Sequence, residues 1–416
     1  MNKVKAIDLF AGCGGLCEGF EQSGFYDTLA CVEWEKSPCE TLAKHLKEVW
    51  GMEDAYSRVL RFDIQRTDEL FNGWSDENYG SNEGLDNLVG KHNIDIIIGG
   101  PPCQAYSIAG RVRDEYGMKN DYRNFLFESY VKVVTHYKPK VFVFENVPGI
   151  LSAAPTGEPI IQIIKKTFND AGYVVLPDLS KAIIDFTEYG VPQNRSRIII
   201  LGISKETFGK KAYELIDKFY FSVLPSFKVK NKKTVREAIG DLPKLFPTEE
   251  FKVGKKRYSH SFEADGISNH ASRWHSERDQ KIFAMLARDI ESGENKYVSI
   301  DALKKLYTEV TGHVSSVHKY HVIRWDEPSN LIPAHLYKDG LRHIHPDPEQ
   351  ARSITVREAA RLQGFPDSYV FTGTQADAYK MIGNAVPPIF SKILATAIYQ
   401  LLFENGGDEC AVLQKS

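Results

Sequence analysis

Apolar positions in the first half of the chain fall in short, β-branched runs bounded by turn residues: VKAIDLF (4–10), TLACVEW (28–34), NIDIIIGG (93–100), KPKVFVFEN (138–146) and RSRIIILGI (195–203). The runs are continuous rather than alternating, which predicts strands buried on both faces of a sheet. Between them stand stretches with helix-compatible spacing, Ser37 to Trp50, Asn124 to His136 and Pro159 to Ala171. Strands alternating with helices predict a mostly parallel α/β sheet with helices on both faces. From about Lys205 to His345 the chain is charged, loop-rich and only patchily periodic, with one helix expected over Ala271 to Ser292 behind the capping sequence Ser268-Asn-His. A compact pattern resumes at Arg352 to Gln363 and at Gly383 to Phe403, and the tail from Glu404 to Ser416 is expected to fray.

Composition narrows the classes. With 416 residues, 42% hydrophobic and 26% charged, the chain can build two or three domains with sizeable cores. It holds no run of eighteen apolar residues, and MNKVKAIDLF enters a strand pattern directly, so a cytoplasmic protein is expected. The cysteines, at 13, 17, 31, 39, 103 and 410, form no CxxC pair, which points to neither a disulfide framework nor a zinc site. Six of the twelve histidines lie between His313 and His345; without cysteine partners or an HExxH spacing no metal is expected there, and loop or phosphate-facing histidines are. A net charge of −3 argues against a nucleic-acid partner unless local charge restores it, as the clusters Lys228-Val-Lys230-Asn-Lys232-Lys233 and Lys252-Val-Gly-Lys255-Lys256-Arg257 can.

The strand ends carry the chemistry. The first reads Asp8-Leu-Phe10-Ala-Gly12-Cys-Gly14-Gly15. A glycine-rich turn into a helix lets backbone approach a ligand, and the helix N-terminus offers unpaired N–H groups. Cys17 stands where a GxGxxG motif has its third glycine, so a nicotinamide or flavin oxidoreductase is a poor match. The second strand ends in Glu33-Trp34, an acid able to accept ribose hydroxyls beside a flat indole able to cover adenine, and Asp63 follows at a third strand tip. These acids in register point to a nucleoside cofactor. In GGPPCQAYS (99–107) two prolines fix φ and lead Cys103 out of a strand end, where open α/β sheets gather their sites. The next tips bring Glu145-Asn146 and Gln193-Asn-Arg195-Ser-Arg197. Arginines there can lower a thiol pKa and carry an acceptor oxygen. Acyl transfer would ask for a histidine base, and none of these motifs contains one.

Together DLFAGCGG, the Glu33 strand end, GGPPCQAYS, FENV, QNRSR, TVREAARLQGFPDSY (355–369) and GNAVPP (383–388) resemble, in order, the DNA (cytosine-5) methyltransferases of bacterial restriction–modification type. The resemblance implies a class I methyltransferase-like (Rossmann-like) domain over 1–204, a smaller target-recognition domain over 205–373, and a segment over 374–416 returning to the first. It implies S-adenosylmethionine as cofactor, held by Phe10, Gly12, Gly14, Glu33, Trp34, Asp63, Asn384 and Val386. It implies Cys103 as nucleophile toward C6 of a flipped-out cytosine, Glu145 at the N3/N4 edge, and Arg195 or Arg197 at O2. Ser107, Arg111, Arg113, Lys119 and Arg123 are then a loop contacting duplex DNA, in a monomer with a possible functional link to a restriction endonuclease. Arg357, Glu358 and Arg361 suggest a buried ion pair in a supporting helix. The rival readings are a tRNA-methylating relative, whose Cys-Phe-Thr run is replaced by Asp185-Phe186-Thr187, and a DNA-binding protein without catalysis, which intact Cys103, Glu145, Arg195 and Arg197 disfavour.

Overall fold

Each apolar run read as a strand forms one in the computed structural model, which describes residues 3–102, 126–154, 159–261, 266–314, 320–338 and 340–404. Cys103, Ser107, Arg111, Arg113, Lys119 and Arg123 lie outside the described residues, as does Cys410. The chain divides into two compact units, one of Met1–Tyr189, Arg195–Lys230 and the segment from Ala385 on, the other of Gly190–Asn194 and Asn231–Asn384.

The first unit is built on one sheet. Strands β1 (Val4–Leu9), β2 (Tyr26–Glu33) and β3 (Val59–Arg61) are followed by a small hairpin, β4 (Trp74–Asp76) with β5 (Gly80–Asn82). Then come β6 (Ile96–Gly99), β7 (Val141–Asn146), β8 (Tyr173–Val174), β9 (Ile183–Asp185) and β10 (Ser196–Ser204). The sheet runs β3-β2-β1-β6-β7-β10-β8, with β9 also on β10. The pairs from β3 to β7 are parallel, and β10 lies antiparallel to β7. Parallel neighbours need crossovers, and α1 (Gly15–Ser23), α2 (Lys36–Glu48) and α3 (Leu126–Tyr137) lie on those joining β1 to β2, β2 to β3 and β6 to β7, while α4 (Ile160–Asp170) leads from β7 to β8. Ala6, Ile7, Leu9, Ile96, Ile97, Ile98 and Val141–Phe144 are all buried, as strands covered on both faces must be. Because the chain passes from β1 outward to β2 and β3 and then back to β6, the order reverses between β1 and β6. Such a reversal opens a crevice at the C-terminal strand ends.

The first unit keeps more of the chain than the expected boundary at 204 allows. Helix α5 (Lys211–Lys218) and the turns after it bury Ile216, Phe219, Tyr220 and Leu224. Between the short stretches where β9 and β8 pair with β10, the Tyr220 hydroxyl accepts from Leu201 N–H at 2.8 Å and donates to Ile199 O at 2.7 Å. It thereby satisfies two backbone groups in the buried gap between those pairings. The C-terminal helix α10 (Pro388–Leu402) closes against α1, where a Cβ added at Gly19 would sit 2.3 Å from Ser391 Cβ and one at Gly15 2.3 Å from Val386 O.

In the second unit the long helix is α6 (Glu277–Glu291), shorter than the expected 271–292, because Ser276 rather than Ser268 caps it through Asp279 N–H. Helix α7 (Ile300–Thr311) shares a core with it through Phe283, Leu286, Leu303 and Leu306. Helix α8 (Val356–Leu362) starts in a capping box of Thr355 and Glu358, and α9 (Gln375–Asn384) anchors to Ile354 O through the Tyr379 hydroxyl at 2.7 Å. That anchoring places 375–384 with the second unit, beyond the expected boundary at 373. The expected ion pair inside α8 is replaced: Glu358 takes Arg352 in a fully buried fork at 2.6 and 2.7 Å. Arg357 instead donates to the carbonyls of Ser268, Pro366 and Tyr369, and Arg361 reaches Asp367. His343 and His345 are buried rather than phosphate-facing, and burial pushes both pKa values down to about 3. The stretch Gln375–Leu402 has the length and apolarity of a membrane span, yet it is α9 and α10 broken around Pro387, and 56% of its most apolar window is buried.

Candidate active site

The turn after β1 is left-handed at three alternate positions, with φ of 56° at Phe10, 55° at Gly12 and 83° at Gly14. Glycine takes that conformation without strain; Phe10 does not. The turn is held from β2: Glu33 Oε2 accepts from Gly12 N–H at 2.9 Å, while Oε1 accepts from the N–H groups of Trp34 and Glu35, both at 2.9 Å. A carboxylate has about four acceptor positions, so Glu33 retains one after binding backbone three times. The Trp34 indole beside it is 48% exposed, an unusual state for the largest side chain. Asp63 follows β3, half-buried, with Oδ1 accepting from Gln65 N–H at 3.0 Å. Around a Cβ built at Gly12 nothing lies within 4 Å, so the backbone there is open. Val386 is buried in this same unit, and its carbonyl meets Gly15. Asn384 is the last residue of the other unit and exposed.

One strand away, the register pairs Leu9 with Gly99, so the glycine turn and the segment Gly99–Pro102 leave the sheet side by side. Both glycines are there for space. A Cβ at Gly99 would meet Leu9 O at 2.4 Å, and one at Gly100 would meet Glu145 Oε2 at 2.6 Å. Asn146 Nδ2 donates to Pro101 O at 3.3 Å, tying the end of β7 to the segment that leads to position 103. Glu145 pairs with Arg197 Nε at 3.0 Å. Its register partner on β10 is Ile199, and this pairing sets Arg197 and Arg195 at the same sheet edge. Burial raises the Glu145 pKa; Arg197 and Arg195 pull it down and lose. Arg195 is buried, with its Nη2 donating to Ala385 O at 3.1 Å, and burial together with Arg197 lowers its pKa. A carboxyl biased toward its protonated form, flanked by two guanidinium groups, suits a ring that carries one acceptor oxygen and one nitrogen to be protonated.

The sequence profile of the C-5 cytosine-specific DNA methylases matches residues 4–400. The chain belongs to that family. Among curated relatives, the Type II methyltransferase M.Bpa9945I of Bacillus paralicheniformis is 34% identical over a 456-position alignment that covers 95% of this chain and 98% of that one. M.DdeI of Desulfomicrobium norvegicum, also a Type II methyltransferase, is 30% identical over 97% of this chain and 90% of its own. In solved structures, a prophage-encoded E. coli protein assigned as a DNA modification methyltransferase overlays with a TM-score of 0.62 at 23% identity, covering 96% of this chain and 99% of that one. S. pombe Dnmt2 methyltransferase does so with a TM-score of 0.51 at 14% identity, covering 96% and 98%. At those identities the structural likeness speaks for the fold.

Two buried arrangements in the first unit had no sequence signal strong enough to single them out. Asp8 sits inside β1 with neither carboxyl oxygen hydrogen-bonded among the described residues, and burial raises its pKa well above its ordinary value, with the Cys17 N–H opposing. In α1, Glu18 accepts from Trp50 Nε1 at 2.8 Å and meets His45 Nε2 at 2.7 Å, a buried set that locks α1 to α2. An acid in a strand and an acid on a helix are ordinary letters; only the fold buries them.

Proposed function

We propose that this DNA cytosine-5 methylase acts on a cytosine flipped out of duplex DNA, through a covalent bond between Cys103 Sγ and ring C6. The observation that carries the reading is the convergence of Glu145, Arg195 and Arg197 beside the Gly100–Pro101 backbone that leads to Cys103. The Cys103 thiolate forms the new bond at C6 and the ring electrons move toward C5. Glu145, its pKa raised by burial, delivers a proton to N3 and keeps the ring from accumulating charge. Arg195 or Arg197 holds O2. With C5 carrying the methyl group that S-adenosylmethionine would supply, loss of the C5 proton to solvent, expulsion of the thiolate and return of the N3 proton to Glu145 restore the aromatic ring. Unstacking the base costs roughly a few kcal/mol, which contacts elsewhere on the duplex offset.

S-Adenosylmethionine fits the turn after β1: the backbone is open at Gly12, Glu33 retains an acceptor position for a ribose hydroxyl, and Trp34 offers an exposed ring face for adenine. Bound, it supplies an electrophilic methyl group. Phe10, Gly12 and Gly14 are assigned to its methionine end, Asp63 to adenine, and Asn384 with Val386 to the far side. Ser107, Arg111, Arg113, Lys119 and Arg123 are assigned to the DNA. The reading further assigns a monomer acting on DNA in the cytoplasm, and the likeness to Type II methyltransferases supports the part of it that sets the enzyme beside a restriction endonuclease.

Cys103→Ser is expected to abolish methyl transfer from labelled S-adenosylmethionine to duplex DNA while leaving cofactor binding intact. Duplexes carrying 5-fluorocytosine should trap the protein covalently through Cys103, since fluorine cannot leave as a proton does. Wild-type transfer by the serine variant, or no trapped species with active protein, would remove the mechanism.

A further inference from the structure

The second unit carries an element that core packing does not explain. Strands β11 (Pro247–Val253) and β12 (Lys256–His260) form a two-stranded antiparallel ribbon paired with no other strand. From Pro247 to Arg257 every residue is exposed except half-buried Phe251. A ribbon with both faces in water gains little from burial and is marginal by itself. Its tip is Gly254-Lys255, with φ +61° at the glycine, as the first position of a type II′ hairpin turn requires.

The two faces differ. On one, the register sets Lys252 opposite Arg257, and Glu250 accepts from Arg257 Nε at 2.9 Å and from Trp274 Nε1 at 3.0 Å. The Arg257 guanidinium lies 4.3 Å from the Trp274 ring centroid, and its Nη1 makes no hydrogen bond among the described residues. The other face carries Phe251 stacked on Tyr258 at 5.4 Å, with Lys256 Nζ 5.8 Å from the Tyr258 ring. Lys252, Lys255 and Lys256 have no carboxylate within salt-bridge distance among the described residues.

We infer that this ribbon enters the major groove of the target duplex, with Lys252, Lys255 and Lys256 on phosphates and the Arg257–Trp274 face toward base edges. The inference rests on the DNA-methylase reading above and names the element that meets the duplex. A major groove about 12 Å wide admits a two-stranded ribbon. A chain of net charge −3 can meet a polyanion only through a local cation excess, and the tip supplies three ammonium groups outside salt-bridge contact among the described residues. Arg257, held by a carboxylate and a ring, presents Nη1 without first losing side-chain freedom.

The test compares wild type with Lys252→Ala/Lys255→Ala/Lys256→Ala and with the corresponding triple arginine variant. Fluorescence anisotropy follows binding to a duplex holding the site that bisulfite sequencing shows the wild type to methylate, across a salt series. Loss of three phosphate contacts should lower the slope of log K against log salt by about 2 to 3 and weaken binding on the order of a hundredfold near 0.1 M salt. The arginine triple should restore both, and S-adenosylmethionine affinity should stay unchanged throughout. Arg257→Ala should broaden the set of methylated contexts in bisulfite maps. A wild-type salt slope in the alanine triple overturns the inference and leaves the ribbon as a protein-docking surface; an unchanged map for Arg257→Ala overturns its base-reading half. Should the wild type bind cofactor yet methylate no duplex cytosine, the methylase reading itself fails, and this inference with it.

Discussion

Replacing Gly100 by alanine tests whether that position is empty in order to seat Glu145. The added Cβ would stand 2.6 Å from Glu145 Oε2, where ordinary contact begins near 3.4 Å, so the carboxyl must retreat by about 0.8 Å. It has little freedom to do so: Oε1 is held by Arg197 Nε at 3.0 Å, and the strand register with Ile199 fixes the backbone. Gly100 is not among the positive-φ residues, so alanine meets no backbone strain and the perturbation is confined to the carboxyl. A displacement approaching 1 Å in a group proposed to line up with a ring nitrogen is expected to cost roughly 100-fold in rate, or about 2.7 kcal/mol of barrier. Because the clash is with the end of a side chain, stability should fall by no more than about 1 to 2 kcal/mol. The assay is the initial rate of labelled methyl transfer to duplex DNA at saturating cofactor, beside a calorimetric binding constant for S-adenosylmethionine and a melting curve. The expected result is a kcat lowered by about two orders of magnitude with cofactor binding and fold retained. Gly99→Ala is the contrast, since its Cβ meets the carbonyl of Leu9 at 2.4 Å and should cost stability first. A folded Gly100→Ala enzyme with wild-type kcat would refute the steric argument.

Gly19→Ala drives a methyl group into Ser391 at 2.3 Å across the α1 and α10 backbones, and should lower stability by about 1 to 3 kcal/mol, read as a drop in melting temperature; an unchanged melting temperature would mean the helices separate freely. Glu358→Gln leaves Arg352 fully buried without its counter-charge and should cost roughly 3 to 5 kcal/mol in urea unfolding, whereas Arg352→Met/Glu358→Leu should recover most of that loss; equal losses in both variants would contradict the desolvation argument. His260, His275, His343 and His345 are buried, and burial pushes their pKa values down to about 4 for the first and about 3 for the other three. The unfolded chain binds their protons first, so the stability they contribute is complete above pH 6.5 and is lost as pH falls from there, toward 4 for His260 and toward 3 for the other three, by up to about 1.4 kcal/mol per histidine per pH unit. Melting temperatures that stay level from pH 7 to pH 4.5 would show these rings to be accessible in the folded state.

Strand positions, the glycine turn and the acidic strand tips were legible in the sequence because each depends on a few neighbouring residues. Continuous runs such as IDIII and VFVFEN can be satisfied only inside a covered parallel sheet, and the order of the motifs by itself carries the resemblance to the family. Segment 205–230 has the polar composition of a separate domain, yet Tyr220 completes the hydrogen bonding of β10, a long-range requirement invisible at position 220. Arg352 rather than Arg357 or Arg361 claims Glu358, since the turn before α8 folds back and helical spacing within α8 does not decide the partner. The histidines at 343 and 345 sit in a charged stretch of chain and still lose their protons' welcome through burial. Residue type and local spacing therefore determined which chemistry this chain can hold. Which carboxyl is pushed toward its protonated form, and which glycine must stay bare beside it, were decided only when strands distant in sequence were laid side by side in a medium that excludes water.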